Sequence, residues 1–341
     1  MTQIKKLRLK ISSTVKKLPM SLFEEATYEF MEKAPERGDV VVGEIKSVGW
    51  HNEMEGLGGE YIRLFEGDMI ITTLGNRYAT SEFGGRVPKS LKRNLEMLNA
   101  GGVSGRLTGK NLKVSNPTTF KPLGYLLNRS GKPVNISNYA LGRKKTKIEA
   151  PIILVLGSGM DAGKTTTATS IIKALSLYNK KVAAGKLTGT SRMKDISLMH
   201  DAGATMVLDH VDAGFPSTHM CEKGELKKIF EIIYSNLVQN RPDYVVLEIA
   251  DGIFQRETNI LLKQGYLMEK VSDIFFSASD PVAAFGAKVY LESVNIHISA
   301  FSGPVANSDL MLEEVNKRTG IACVNPQIGS LEEIYSIINP G

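Results

Sequence analysis

Leu154-Val155-Leu156-Gly157-Ser158-Gly159-Met160-Asp161-Ala162-Gly163-Lys164-Thr165-Thr166 joins two stretches of different period. Before it, Pro151 to Leu156 is a continuous apolar run of buried-strand length; after it, Ala168, Ile171, Ile172 and Leu175 recur at helical spacing. The glycines fall between the two, where a chain free of bulky side chains can close its N–H groups around phosphate oxygens. The helix that follows adds the partial positive charge of its N-terminus, Lys164 can reach β- and γ-phosphates, and the Thr165 hydroxyl can ligate Mg²⁺. Gly157, Gly159, Met160, Asp161, Ala162, Gly163, Lys164, Thr165 and Thr166 are therefore the expected cofactor-binding loop. The usual spacing G-x-x-x-x-G-K-[ST] would place a glycine at 158. Here that residue is Ser158 and the glycine is Gly157, so the loop is one residue longer.

From this strand onward, apolar runs alternate with helical stretches. Strands are expected at Ile152–Leu156, Lys181–Leu187, Thr205–Asp209, Tyr244–Glu248, Ile274–Ser277, Ile296–Phe301 and Ile321–Val324. The helix between Glu222 and Gln239 carries Leu226, Ile229, Phe230, Ile233 and Leu237 on one stripe. Such alternation predicts an α/β domain over residues 151–341, a mostly parallel sheet with helices on both faces, whose ligands lie at the carboxyl ends of the strands. Lys186, Asp209 and Glu248 end successive strands, so with Lys164 and Thr165 they converge on one phosphate site. Lys164, Lys186 and Glu248 are the expected catalytic residues. Thr165, Asp209 and Glu248 are the expected Mg²⁺ ligands, because hard cations prefer oxygen.

The longer loop resembles that of dethiobiotin synthetase. The resemblance extends to Lys181-Val-Ala-Ala-Gly185-Lys186-Leu-Thr188-Gly189-Thr190-Ser191, a strand ending in lysine before small and hydroxyl residues. It also takes in Asp243-Tyr-Val-Val-Leu247-Glu248-Ile-Ala-Asp251-Gly252, a strand ending in glutamate, although Ile249 and Asp251 depart from that family's smaller residues. It covers about residues 151–326. It implies an ATP- and Mg²⁺-dependent ligase or kinase that activates a small carboxylate- or amine-bearing substrate, with Asn325 near the base. ATP is expected over GTP, since no guanine-specificity motif is present. More distantly, the two-domain layout resembles D-glutamate N-acetyltransferases, in which a similar loop would hold coenzyme A phosphates.

Substrate contacts are expected from Thr190, Ser191, Arg192, Asp212, Ser217 and Thr218. The surrounding His200, Asp201, Asp209, His210, Asp212, His219 and Cys221 also leave open a transition-metal site, and with it a nucleotide switch or metallochaperone, although no zinc spacing is present. Asp161 faces either a cation or its own loop.

Residues 1–145 read as a smaller β-rich α+β domain. Val40–Ile45, Tyr61–Phe65, Met69–Ile71, Gly102–Leu107 and Tyr125–Ile136 are strand-like, with Asn128–Gly131 as a turn, and the close spacing suggests a small barrel or compact sheet. Helices are expected at Ser21–Lys33 and Pro88–Leu98. Arg77 and Arg86, each near glycines, could grip an anionic substrate group, and Trp50-His51 is the other candidate functional place in this domain; alternatively Trp50 is core, His51 is surface and the glycines form hairpins. Residues 141–150 are the expected linker.

The chain has 341 residues, enough for two cores, with 42% apolar and 23% charged residues. Its net charge of +6 divides unevenly: residues 1–150 have 25 basic against 15 acidic side chains, and residues 151–341 have 17 against 21. Lys5, Lys6, Arg8, Lys10, Lys16 and Lys17 form a loose basic cluster, read as a solvated face because no nucleic-acid motif accompanies it. There is no signal-like run and no stretch of about 18 apolar residues. Cys221 and Cys323 are too few for a disulfide scaffold. A cytoplasmic, homodimeric protein acting on a small molecule, away from membranes, is expected.

Overall fold

The computed structural model describes residues 2–3, 9–24, 26–326 and 331–340. They divide into two compact units. The first holds the described residues up to Gly142 together with Gly189–Lys194 and His210–Met220; the second holds Arg143–Thr188, Asp195–Asp209 and the described residues from Cys221 onward.

In the first unit the strands are β1 (Thr2–Gln3), β2 (Leu9–Ile11), β3 (Thr27–Glu29), β4 (Val40–Ser47), β5 (Glu53–Glu55), β6 (Tyr61–Arg63), β7 (Met69–Leu74), β8 (Phe83–Arg86), β9 (Leu95–Met97), β10 (Val103–Lys110) and β11 (Thr119–Leu126). β11 pairs with β4, β4 with β7, β7 with β10, β10 with β9, and β9 returns to β11, so these strands close a small barrel. Alternation fills it. Val41, Ile45, Ile70, Leu74, Leu95, Met97, Phe120 and Tyr125 form one core, while Val40, Val42 and Ile71 face the opposite way onto Val15, Leu22 and Phe23. Gly43 makes room for Phe120, whose ring would lie 2.2 Å from an added Cβ.

Two expected helices give way to this barrel. Among the described residues of the first, only Ser21–Glu24 is helical (α1); Thr27–Glu29 pairs instead with β11 as β3, using β-favouring Thr27 and Tyr28. Leu95 and Met97 are buried while Glu96 between them is only partly so, a period of two that lets β9 close the ring. Residues 88–94 are irregular. The Tyr125–Ile136 strand is shifted to β11. Asn128 makes the expected turn, accepting from the N–H of Ser130 and Lys132, with Gly131 at φ 74°.

The second unit contains β12 (Ile152–Gly157), α2 (Lys164–Leu177), β13 (Val182–Lys186), α3 (Met193–Asp201, whose first two residues belong to the first unit), β14 (Val207–Asp209), α4 (Lys223–Leu237), β15 (Tyr244–Glu248), α5 (Arg256–Leu261), α6 (Gly265–Met268), β16 (Val271–Ser277), α7 (Pro281–Glu292), β17 (Ala300–Ser302), α8 (Asp309–Thr319) and α9 (Leu331–Ile338). The sheet is parallel throughout, in the order β14-β13-β15-β12-β16-β17. Its strands are buried on both faces, as a parallel sheet covered by helices requires. Ala168, Ile171, Ile172 and Leu175 of α2 pack on Ile153, Val155, Val182, Ala184, Val246 and Phe275. Burying each large aliphatic side chain contributes roughly 1.5–3 kcal/mol. The expected strand at Ile321–Val324 reduces to one bridge, Phe301 to Cys323, at the sheet edge. Among the described residues no helix is long and apolar enough to cross a membrane.

Candidate functional site

β12 delivers the chain into the glycine loop, and α2 begins at Lys164. Gly163, the residue before the helix, has φ 86°, a backbone conformation that suits glycine, and Asp161 has φ 61°. The loop is packed from two sides. A Cβ on Gly163 would stand 3.1 Å from Pro304 Cδ and 3.2 Å from Gly303 Cα, and one on Gly252 would stand 2.7 Å from the Ser158 carbonyl oxygen. Ser158 N–H donates to the Ser277 carbonyl (2.9 Å) and Ile253 N–H to the Gly157 carbonyl (3.2 Å), tying the loop to the end of β16 and to the segment after β15. On Gly159, by contrast, a Cβ would meet nothing within 4 Å, so that part of the loop is open.

Lys164 curls over the loop and donates to the Gly159 carbonyl at 2.6 Å. Burial lowers its pKa, while Glu248 and Asp251 work in the opposite direction. The register of the sheet aligns Asp209, Lys186, Glu248 and Val155 in one row across β14, β13, β15 and β12. In that row Lys186 Nζ lies 3.3 Å from Glu248 Oε1, and Glu248 Oε2 accepts the Thr165 hydroxyl at 3.0 Å. Lys186 also bonds Asp195 in the first turn of α3. Burial opposes the Lys186 charge, but Asp195 and Glu248 outweigh it and hold its pKa above the ordinary lysine value. The structure thus brings together Lys164, Thr165, Lys186 and Glu248. A hydroxyl and a carboxylate 3.0 Å apart are hard oxygen donors that fit Mg²⁺. Asp209 is buried at the end of β14.

Sequence reasoning missed Asp195, which is nine residues beyond Lys186 and belongs to a different element. Its only signal was an acid in a helix's first turn. Gly252, at the end of the stretch quoted for the family resemblance, has a packing role that the sequence did not show: its lack of a side chain lets the segment after β15 lie against the loop. Asn325 donates to the Ala306 carbonyl (2.8 Å), and the next residue, Pro326, accepts from Ser170 of α2 (2.6 Å).

Thr190, Ser191, Arg192, Asp212, Ser217 and Thr218 belong to the first unit. Thr190 and Ser217 form a bridge, Ser217 Oγ donates to the Asn76 carbonyl, Thr218 Oγ1 accepts from Gly189 N–H (2.9 Å), and the Ser191 carbonyl accepts from Asn99 (2.6 Å). Asp212 faces Lys16 (3.3 Å) and Lys17 (3.8 Å), while Arg192 is exposed. Among the described residues no three His, Cys, Asp or Glu side chains form a cation cluster. His200 is exposed, and His210 is buried with Nδ1 at 2.7 Å from the Phe215 carbonyl oxygen. Of the N-terminal basic cluster, Lys5, Lys6 and Arg8 lie outside the described residues; Lys10 pairs with Asp68.

Arg77 is buried, donating to the Leu98 carbonyl and pairing with Glu82, so its guanidinium supports the barrel. Trp50 is 43% exposed, not core. His51, expected at the surface in that reading, is largely covered and packs edge-on against Phe83 at 5.5 Å.

A strand, a glycine loop and a helix beginning Lys-Thr, set at an interior strand of a parallel sheet, define the second unit as a P-loop fold. The sequence matches no protein-family model and no curated protein. Among solved structures it is similar to the signal recognition particle receptor FtsY from Elizabethkingia anophelis (16% identity, 61% of this chain and 75% of that one, TM-score 0.37). It is also similar to a ParA family ATPase from Chlorobium tepidum TLS (14%, 57% and 92%, 0.34) and a DUF1611 family protein from Anabaena variabilis (11%, 59% and 61%, 0.39). Likeness at this level assigns no activity.

Proposed function

We propose that the second unit binds ATP with Mg²⁺ and transfers the terminal phosphoryl group to a small carboxylate- or amine-bearing substrate, as a ligase or kinase. The observation that carries this reading is the meeting of Lys164, Thr165, Lys186 and Glu248 at the carboxyl ends of β12, β13 and β15. Beside the loop lysine the site holds a second one, Lys186, which carboxylates keep in place. With ATP in the loop, the Lys164 ammonium would leave the Gly159 carbonyl for the β- and γ-phosphate oxygens, which favour the charge that burial disfavours. Thr165 and Glu248 would hold Mg²⁺, which when bound neutralises phosphate charge. Lys186 then stabilises charge that spreads onto oxygens during transfer, a contact stronger in the transition state than in the ground state.

The test is a ligand-shift screen of ATP, GTP, ADP and acetyl-CoA with Mg²⁺, followed by assay of phosphate release with pooled small acids and amines. Stabilisation by ATP, with turnover that depends on added substrate, is the expected result. Tight acetyl-CoA binding without ATP turnover would replace it by acyl transfer.

A further inference from the structure

Lys186 stands between two carboxylates, and Glu248 between two donors. One oxygen of Glu248 is 3.3 Å from the Lys186 ammonium, and the other accepts the Thr165 hydroxyl at 3.0 Å. Lys186 reaches Asp195 on its other side, and the side chains are 10%, 14% and 1% exposed for Lys186, Asp195 and Glu248. Asp251 and Lys164 also belong to this charge environment. If Glu248 is to face a divalent cation, Lys186 competes with that cation for the same carboxylate. Asp195 supplies the ammonium with another anion, so Glu248 can turn away without leaving a buried lysine uncompensated.

Resting on the ATP–Mg²⁺ reading above, we infer that Asp195 is a positioning residue: it holds Lys186 so that Glu248 is free for the cation, and it keeps the lysine from binding phosphate prematurely. The inference fixes opposite signs for two affinities. Removing the Asp195 charge makes the site more positive and leaves Glu248 as the carboxylate paired with Lys186, with Asp251 acting from farther off. Metal-free ATP should then bind more tightly, and the cation should bind the ATP complex more weakly. Each shift should be roughly three- to thirtyfold, the order for one charge about 10 Å away at an effective dielectric near ~20.

The experiment measures ATP affinity in EDTA by calorimetry and the affinity of the ATP complex for Mn²⁺, used as a spectroscopic probe, by electron paramagnetic resonance. Asp195→Asn should tighten the first and weaken the second, and Asp195→Glu should restore both toward the parent. In a Lys186→Met background, Asp195→Asn should lose most of its effect on Mn²⁺. A full effect there would mean that Asp195 acts by charge alone and would overturn a positioning role. Weakening of both affinities would reduce Asp195 to a structural support, and no change in either would overturn the inference while leaving the ATP reading intact. A parent protein that binds no ATP overturns the ATP reading itself, and the inference with it.

Discussion

At the scale of single residues, the site is a small set of charges whose effects on binding and on rate differ. Lys164→Ala removes the cation at the phosphates, and both ATP affinity and turnover should fall sharply; calorimetry showing parental affinity would remove this loop from the nucleotide site. Lys186→Ala should instead leave ATP affinity within a few fold and cut turnover by on the order of 10²–10³, the range for losing one preorganised electrostatic contact. Steady-state kinetics at saturating ATP distinguish the two, and full activity would make Lys186 a buried structural lysine. Glu248→Gln keeps the shape but removes the charge that Lys186 and Thr165 share. Mg²⁺-dependent turnover should drop more than nucleotide affinity does.

At the scale of elements, the loop owes its shape to its neighbours as much as to its own glycines. Gly163→Ala would force a left-handed backbone onto a residue with a Cβ and press that Cβ toward Gly303 and Pro304. The backbone strain alone costs about 1–2 kcal/mol. The expected outcome is a melting temperature lower by roughly 2–8 °C and weaker ATP binding, checked by calorimetry with and without nucleotide. What the sequence made legible follows the same division. β12, α2, α4 and β15 stand close to where their periods put them, because each buries a continuous apolar face. Lys164, Lys186 and Glu248 were legible because each is fixed by a strand end or by the loop. Asp195 was not, since only the fold brings α3 beside the end of β13. The missed strands β3 and β9 are three residues each. Runs that short leave little periodicity to read, and their conformation is set by barrel partners distant in the chain.

At the scale of the whole molecule, the two units respond to different perturbations. In the first, burial would raise the Glu82 pKa, but His51 and Arg77 outweigh it and bring it from 4.5 down to about 2. A folded pKa below the unfolded one adds stability that is present above about pH 4.5 and is lost as pH falls toward about 2. Glu82→Gln should therefore flatten the acid side of the first unit's stability profile, and pH-dependent melts of parent and variant would show it; parallel profiles would mean that the Glu82 contacts add nothing. Such melts can be resolved by unit because Trp50 is the single tryptophan and lies in the first unit, 3.4 Å from Glu82 through its indole N–H. Among the described residues, apart from the one-turn α1 and the first two residues of α3, the α-helices belong to the second unit. Tryptophan emission therefore reports the barrel, while the helical band of the circular dichroism spectrum reports the P-loop half. The intact, unlabelled chain carries two optical channels, and a lag between them during unfolding would time the loss of one unit against the other.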